Sequence, residues 1–258
     1  MRENIPHRHV LGMRVDATSY SQATNRIVQA AKRGESRYVC VATVNNVMES
    51  YDSPATLRAM NEADLVTPDG MPLVWALKAL GIRSASRVYG PDLMPLVMGA
   101  AAEAGLGVGL YGSTEEVLKR LERRISCDWP HLKVKYRHAP PFRALTWEED
   151  AEVTRQIAES DASILFVGLP SPKQDLWMAN HKGKLDVVMI GVGAAFDFVA
   201  GTKPQAPRWM MSAGLEWLFR LWKEPRRLWK RYVKHNPRFV LYSAVQVFQS
   251  RLPRKHKL

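Results

Sequence analysis

Short apolar segments that alternate with stretches of helical character constrain the fold of this chain most strongly. The hydrophobicity of these segments is continuous and does not alternate, which is typical of parallel strands buried on both faces. We therefore expect an α/β fold, with a mostly parallel, Rossmann-like sheet covered by helices on both faces. The predicted strands are Tyr38–Val44, Asp64–Thr67, Leu106–Tyr111, Val134–Arg137, Ile164–Gly168 and Val187–Ile190.

Several helices can be placed by the residues at their ends. One helix is predicted from about Asn46 through Ala63, and a second from Met71 to Leu80, where Gly81 ends it. Thr114 can cap the helix that begins EEVLKRLERR, and Pro225 is expected to start a further helix. Helices in these positions would cover the predicted sheet.

Positive charge is concentrated near the C-terminus. The chain has a formal net charge of +12, and the segment from Leu215 onwards carries +10 of it, with 12 Lys and Arg against two acids. Apolar residues in this segment recur at helical spacing. We predict two parts, an α/β body over residues 1–206 and a basic, amphipathic helical appendage over residues 207–258.

The appendage allows three interpretations, because its basic residues interleave with aromatic ones such as Trp217, Trp222 and Trp229. Such a segment can bind an anionic membrane surface, where Trp favours the headgroup region. It can also bind nucleic acid, or form the contact between copies of the chain in a homo-oligomer. The charge asymmetry indicates an anionic partner in the first two cases.

Other features of the sequence indicate where in the cell the protein is located. The N-terminus lacks the apolar core of an export signal, and no apolar stretch approaches the roughly 20 residues that span a bilayer. Two cysteines, Cys40 and Cys127, are too few for a disulfide framework, so a reducing compartment is expected. We expect a cytoplasmic protein that associates peripherally with the inner face of the plasma membrane.

The carboxyl ends of the predicted strands carry the residues best suited to chemistry, because ligands of parallel α/β sheets bind there. Asp69 follows a strand directly, in the tight turn Pro68-Asp69-Gly70. A carboxylate held on a rigid turn could act as a general base and take the proton of a hydroxyl group. The alternative is an aspartate that bonds the backbone of its own turn.

Polar residues and glycines follow the other strands and suit phosphate, ribose or sugar hydroxyls. They are Thr43, Asn45, Asn46, Gln174, Gly191 and Gly193. The two glycines could let backbone amides approach a diphosphate, or could let a helix pack closely on the sheet. Gln174 could bind a ligand or lie at the solvated start of a helix. Arg87 could hold a phosphate or pair with Asp92.

The chain has no Asp-x-Asp pair, which many nucleotide-sugar enzymes use to hold a divalent cation on the diphosphate. It also has no Cys/His cluster with zinc spacing, so we expect neither a metal nor a cofactor. Cationic side chains would then have to stabilise a departing diphosphate, and the appendage is rich in arginine. Gly191-Val192-Gly193 lacks the third glycine of the dinucleotide fingerprint, which argues against a Rossmann-type oxidoreductase.

Seven segments occur in order between about residue 10 and residue 240. They are VATVNNVMES, LVTPDGMPLVWALKALG, SRVYGPDLMPLV, LYGST, FVGLPSPKQDLWM, IGVGAAFDFVAGTKPQAPRWM and GLEWLFRLWKEPRRLWKRY. Together they resemble the corresponding segments of the WecG/TagA/CpsF glycosyltransferases. One segment departs from the pattern, because some relatives have a Pro-containing stretch where this chain reads TVNN. Which of Asn45 and Asn46 contacts the ligand is therefore open, as is the donor sugar.

The resemblance implies an inverting, metal-independent enzyme that transfers a sugar from a UDP-sugar to a sugar on a polyprenyl diphosphate. Such enzymes serve the synthesis of bacterial exopolysaccharide, capsule or cell-wall polymers, with no nucleic-acid partner. It implies that Asp69 is the catalytic base. Pocket positions of the family match Thr43, Asn45, Arg87 and Gln174. Arginines that close over the diphosphate match Arg220, Arg227 and Arg231. The alternative function is a nucleic-acid-binding protein that uses the basic appendage.

Overall fold

The computed structural model of the chain describes Met1 and residues 5–252. Its strands are β1 (His7–Val10), β2 (Met13–Asp16), β3 (Arg37–Ala42), β4 (Leu65–Pro68), β5 (Val108–Gly112), β6 (Val134–His138), β7 (Ile164–Gly168) and β8 (Val188–Gly191). Its helices are α1 (Tyr20–Lys32), α2 (Val44–Asp52), α3 (Pro54–Glu62), α4 (Met71–Ala79), α5 (Gly90–Glu103), α6 (Glu115–Asp128), α7 (Trp147–Glu159), α8 (Lys173–His181), α9 (Ala195–Val199), α10 (Arg208–Ser212), α11 (Glu216–Lys223) and α12 (Pro225–Arg251). Residues 253–258, the end of the predicted appendage, lie outside the described part.

Six strands form one parallel sheet in the order β4-β3-β8-β7-β5-β6. They are the six strands that the apolar segments predict, so the α/β prediction is confirmed. Successive residues of a strand pack into two separate cores: Val39 and Val41 of β3 lie in one, and Tyr38 and Cys40 in the other. Both faces of the sheet are therefore buried, which is why these strands are continuously apolar.

Helices cover each face of the sheet. Buried residues of α1, α5, α6 and α9 pack against one face, and those of α2, α3, α4, α7 and α8 against the other. Two predicted helix starts are confirmed. Thr114 Oγ1 accepts a hydrogen bond from the amide of Val117 at 3.3 Å, and Pro225 lies in the first turn of α12. The first fixes the chain just beyond β5, at the carboxyl edge of the sheet.

The single helix predicted from Asn46 through Ala63 is wrong, because the chain forms two helices there. α2 ends at Asp52, and Ser53 caps α3 by accepting a hydrogen bond from the amide of Thr56. Pro54 explains the break, since a residue before proline is driven out of the helical conformation. Ser53 is accordingly extended, with φ −137° and ψ 114°.

A two-stranded antiparallel hairpin of β1 and β2 precedes α1 and was not predicted. Leu11 and Gly12 form its turn with positive φ angles of 51° and 90°. The hairpin is tied to the sheet edge, because Asp16 Oδ2 accepts a hydrogen bond from the amide of Val66 in β4 at 2.8 Å. This contact covers part of an otherwise open edge.

Of the last three helices, α12 packs against the α/β body of the fold. α12 lies against α2, where it buries His235 and Phe239. Two ion pairs hold the same contact: Asp52 accepts hydrogen bonds from Arg238 at 2.5 Å and lies 3.1 Å from Lys234 Nζ. Within the described part of the chain, none of the helices combines the length and apolar character needed to cross a bilayer.

Candidate active site

A cavity of about 940 Å³ opens at the carboxyl edge of the sheet, below α11 and α12. All the predicted site residues line it except Arg87. The lining residues among them are Thr43, Asn45, Asn46, Asp69, Gln174, Gly191, Gly193, Arg220, Arg227 and Arg231. Residues that are up to 188 positions apart in the sequence, such as Thr43 and Arg231, therefore meet at one place.

Asp69 lies at the end of β4, and its side chain is 14% exposed. The carboxylate is bound from two directions: Oδ1 accepts a hydrogen bond from Arg87 Nη2 at 3.1 Å, and Oδ2 accepts one from the amide of Gly90 at 3.2 Å. Both partners lie outside the Pro68-Asp69-Gly70 turn. Burial raises the pKa of Asp69 to about 6, against the opposing effect of Arg87 and with a further increase from Glu216. An aspartate with this pKa is ionised at neutral pH and is more basic than an exposed one.

Arg87 lies behind Asp69 and is not on the cavity wall. Its Nε donates to the carbonyl oxygen of Asp69, and its Nη2 donates both to Asp69 and to Glu216 Oε2, the latter at 2.5 Å. The pairing with Asp92 that the sequence left open does not occur. Asp92 lies in the first turn of α5, where it meets Arg208 of α10 at 2.9 Å instead.

The two neighbouring asparagines have different surroundings. Asn46 is buried, and all its side-chain bonds are internal: Oδ1 accepts from the amide and hydroxyl of Thr43, both at 3.0 Å, while Nδ2 donates to Ser171 and Asp175. Asn45 lies on the cavity wall and contacts His235 of α12, with 3.2 Å between Oδ1 and Nδ1. The geometry therefore favours Asn45 as the ligand-contacting residue and gives Asn46 the task of fixing the loop.

Gln174 and the two glycines form a closely packed group. Gln174 Oε1 accepts a hydrogen bond from the amide of Gly193 at 2.8 Å. A Cβ at Gly191 would lie only 2.4 Å from Gln174 Nε2, so the absence of a side chain at residue 191 leaves room for the buried Gln174 side chain. The amides of Val192 and Gly193 also reach the carbonyl of Val167, at 2.9 and 3.2 Å. The amides of Val192 and Gly193 are therefore already engaged by the protein. Of the two interpretations of Gly191 and Gly193, close packing of a helix on the sheet matches this geometry.

Three arginines from the C-terminal helices face the cavity. Arg220 comes from α11, and Arg227 and Arg231 come from α12. Burial lowers the pKa of Arg227, and the charges of Arg220 and Arg231 lower it further. Among the described residues, Arg231 Nε is buried without a hydrogen-bond partner. Arg227 already donates from Nε and Nη2 to Glu224. The buried, unused donor of Arg231 beside two further guanidinium groups is an arrangement that an anion would complete.

Several cavity residues were not found from the sequence. Asp197 and Lys203 line the cavity with the arginines, and Lys203 Nζ is 3.0 Å from Glu224 Oε1. Glu216 lies behind them and pairs with Arg87. At the far end, the Tyr111 and Trp177 rings lie 4.6 Å apart. Single charged or aromatic residues of this kind carry no periodic signal in the sequence. Only the position of Tyr111 at the end of a predicted strand could have drawn attention to it.

Metal ligands form no group in this part of the protein. Across Met1 and residues 5–252, no three His, Cys, Asp or Glu side chains come together as they would around an ion. The charged groups of the cavity include Asp69, Asp197, Lys203 and the three arginines.

The sequence model of the Glycosyl transferase WecG/TagA/CpsF family matches residues 8–255. This chain belongs to that family. The resemblance carried by the seven segments is thereby confirmed, and the chain is a glycosyltransferase.

Two relatives of this glycosyltransferase have the same name, N-acetylglucosaminyldiphosphoundecaprenol N-acetyl-beta-D-mannosaminyltransferase. The protein of Bacillus subtilis (strain 168) is 29% identical over 183 residues, which are 70% of this chain and 69% of the relative. The protein of Staphylococcus aureus (strain NCTC 8325 / PS 47) is 28% identical over 233 residues, 88% of this chain and 90% of the relative.

Proposed function

We propose that this glycosyltransferase moves a sugar from a UDP-sugar to a sugar carried on a polyprenyl diphosphate, with inversion and without a metal ion. The product would enter a bacterial exopolysaccharide, capsule or cell-wall polymer. The names of the relatives support the lipid-linked acceptor, since they specify N-acetylglucosaminyldiphosphoundecaprenol. The observation that carries the proposal is that a buried carboxylate and three arginines line one cavity.

Asp69 is the proposed base. Its carboxylate takes the proton of the acceptor hydroxyl, and the hydroxyl oxygen attacks the anomeric carbon of the donor. The bond between that carbon and the diphosphate oxygen breaks, and UDP leaves with the bonding electrons. A single displacement of this kind inverts the configuration at the anomeric carbon. The raised pKa of Asp69, about 6, suits a group that must be ionised at neutral pH and still accept a proton.

Arg220, Arg227 and Arg231 are proposed to stabilise the leaving diphosphate. Negative charge grows on the diphosphate as the sugar departs, and guanidinium groups bind such oxygens through charge-assisted hydrogen bonds. The partnerless Nε of Arg231, within the described chain, offers a donor for this purpose. Binding an anion would also offset the repulsion that lowers the pKa of Arg227.

The division into an α/β body, residues 1–206, and a helical appendage, residues 207–258, is part of the proposal. The appendage would close the cavity with its arginines and hold the enzyme at the cytoplasmic face of the plasma membrane. Large apolar side chains on its surface support membrane contact: Trp222 is 72% exposed and Phe248 is 67% exposed. Basic residues beside such side chains are attracted to anionic headgroups.

A transfer assay in EDTA tests the proposed function. The purified chain is incubated with a panel of UDP-sugars, including UDP-N-acetylmannosamine, and with a GlcNAc-diphospholipid acceptor. We expect transfer of one sugar without added metal, and NMR of the product should show the anomeric configuration opposite to that of the donor. Retained configuration, or transfer only after magnesium or manganese is restored, would contradict the proposal.

A further inference from the structure

One guanidinium group connects the proposed base to the C-terminal helices. Arg87 Nη2 donates to Asp69 Oδ1 at 3.1 Å and to Glu216 Oε2 at 2.5 Å. The three side chains are 15%, 14% and 13% exposed for Arg87, Asp69 and Glu216 respectively. Glu216 is the first residue of α11, the helix that also brings Arg220 to the cavity. The acid of α11 and the base of β4 therefore share one cation.

We propose that Glu216 is a positioning residue that ties the ability of Asp69 to accept a proton to the seating of α11 over the cavity. This inference rests on the proposed role of Asp69 as the base. Glu216 itself acts only through Arg87 and Asp69, and contact with the substrate is not part of its role.

The electrostatics of the group follow from its charges. Two carboxylates and one guanidinium carry a net charge of −1, so a proton on one carboxylate relieves the repulsion between them. The groups that act on Asp69 are Arg87 from the loop between α4 and α5, the Gly90 amide at the start of α5, and Glu216 from α11. Tyr89 and Arg220 line the same cavity. Of the groups that act on Asp69, Glu216 is the carboxylate that raises its pKa, whereas Arg87 and the Gly90 amide lower that pKa.

The position of α11 over the cavity therefore determines how many carboxylates share the Arg87 guanidinium group. With α11 in place, Arg87 is divided between two carboxylates. With α11 withdrawn, Asp69 would have Arg87 alone, and a simple ion pair lowers the pKa of a carboxylate. The base would then be strongest only when Arg220, on the same helix, is also in place. A base that gains strength on closure is least active while the cavity is open to water.

Selective NMR titration tests this directly. Protein labelled with ¹³Cγ-aspartate is titrated as wild type and as Glu216→Gln, which keeps the shape of the side chain and removes its charge. Asp69→Asn identifies the Asp69 signal by its loss. We expect Asp69 to titrate near pH 6 in the wild type and about one pH unit lower in Glu216→Gln. The acidic limb of the kcat/KM profile for transfer from UDP-N-acetylmannosamine should move in the same direction.

Two further variants complete the experiment. Glu159→Gln removes the same charge from an exposed side chain at the end of α7 and should leave the Asp69 titration unchanged. Glu216→Asp withdraws the carboxylate from Arg87 by one methylene and should give an intermediate value. If Glu216→Gln does not give a folded circular dichroism spectrum, Glu216→Asp decides alone. An Asp69 titration equal to that of the wild type in the folded variant would overturn the inference.

The failure of this inference can be told apart from failure of the proposed function. Wild-type turnover by Asp69→Asn would remove Asp69 as the base, whatever its titration shows. Loss of turnover in Asp69→Asn, combined with an unchanged Asp69 titration in Glu216→Gln, would leave the base in place and remove only the role of Glu216.

Discussion

The two walls of the cavity differ in how their polar groups are satisfied. The sheet wall, formed by Thr43, Asn46, Asp69 and Gln174, is closed by internal hydrogen bonds such as those from Thr43 to Asn46 and from Gly193 to Gln174. The helix wall, formed by Arg220, Arg227 and Arg231, has three like charges close together. The polar groups of the sheet wall are engaged by other protein groups, whereas in the helix wall Arg227 pairs with Glu224 and, within the described chain, Arg231 Nε is buried without a partner.

This difference indicates a division of labour. A wall fixed by its own hydrogen bonds holds a reacting group in one orientation, as acid–base chemistry requires. A wall of crowded cations gains most from a ligand that carries negative charge. We therefore assign proton transfer to the sheet wall and stabilisation of the diphosphate to the helix wall.

The largest effect should come from the sheet wall. Asp69→Asn keeps the shape of the side chain but removes the base, so turnover should fall by about 10²–10⁴-fold. Transfer rates at saturating donor measure this loss, and thermal unfolding serves as the control for folding. Turnover within a few-fold of the wild type would show that another group takes the proton.

Loss of an arginine from the helix wall should also reduce turnover, but by less than Asp69→Asn does. Arg231→Ala removes a donor that we propose binds the diphosphate, and kcat should fall by about 10²-fold. Arg226→Ala is the matched control, because Arg226 is exposed on the same helix and does not line the cavity. Equal losses in both variants would mean that overall positive charge matters and that the placement of Arg231 does not.

The rigidity of the sheet wall can be tested through stability. Gly191→Ala places a Cβ about 2.4 Å from Gln174 Nε2 and 2.6 Å from Met178 Cε, so these buried side chains must move, and the bond from the Gly193 amide to Gln174 is disturbed. We expect a loss of about 1–3 kcal/mol in the free energy of unfolding, measured in urea. A variant as stable as the wild type would show that the sheet wall can adjust and is not rigid.

The anchor of the helix wall should have the smallest effect. Hydrogen bonds from Arg238 and Lys234 lower the pKa of Asp52, so this contact adds stability above the ordinary aspartate range and loses it as the pH falls. Asp52→Asn should lower the urea midpoint slightly at pH 7, and less than Gly191→Ala does. The difference from the wild type should shrink in acid. A constant difference at every pH would assign the effect to packing.

Much of the sheet wall could be predicted from the sequence. Buried parallel strands are continuous apolar runs, so β3, β4, β7 and β8 and the polar residues after them were all found. The β1–β2 hairpin was missed because its strands, HRHV and MRVD, are only 4 residues long and the first has a single apolar residue. Strand order was also out of reach, since it depends on contacts between distant segments.

The helix wall shows a different limit of sequence analysis. Charge and helical spacing indicate a basic appendage, and the family resemblance singles out its arginines. Neither indicates the contact between Arg87 and Glu216, which are 129 residues apart. That contact exists because the start of α11 meets the loop between α4 and α5, in which Arg87 lies. The sequence suggested Asp92 as a partner for Arg87 because it is close along the chain, and proximity along the chain proved a poor guide.

Calorimetric titration of UDP in the presence of EDTA tests the division between the two walls most directly. We expect Asp69→Asn to bind UDP within about twofold of the wild type. The combined Arg220→Ala, Arg227→Ala and Arg231→Ala variant should bind UDP at least about 100-fold more weakly. Equal UDP affinity in the arginine variant and the wild type, or loss of affinity in Asp69→Asn alone, would contradict this division.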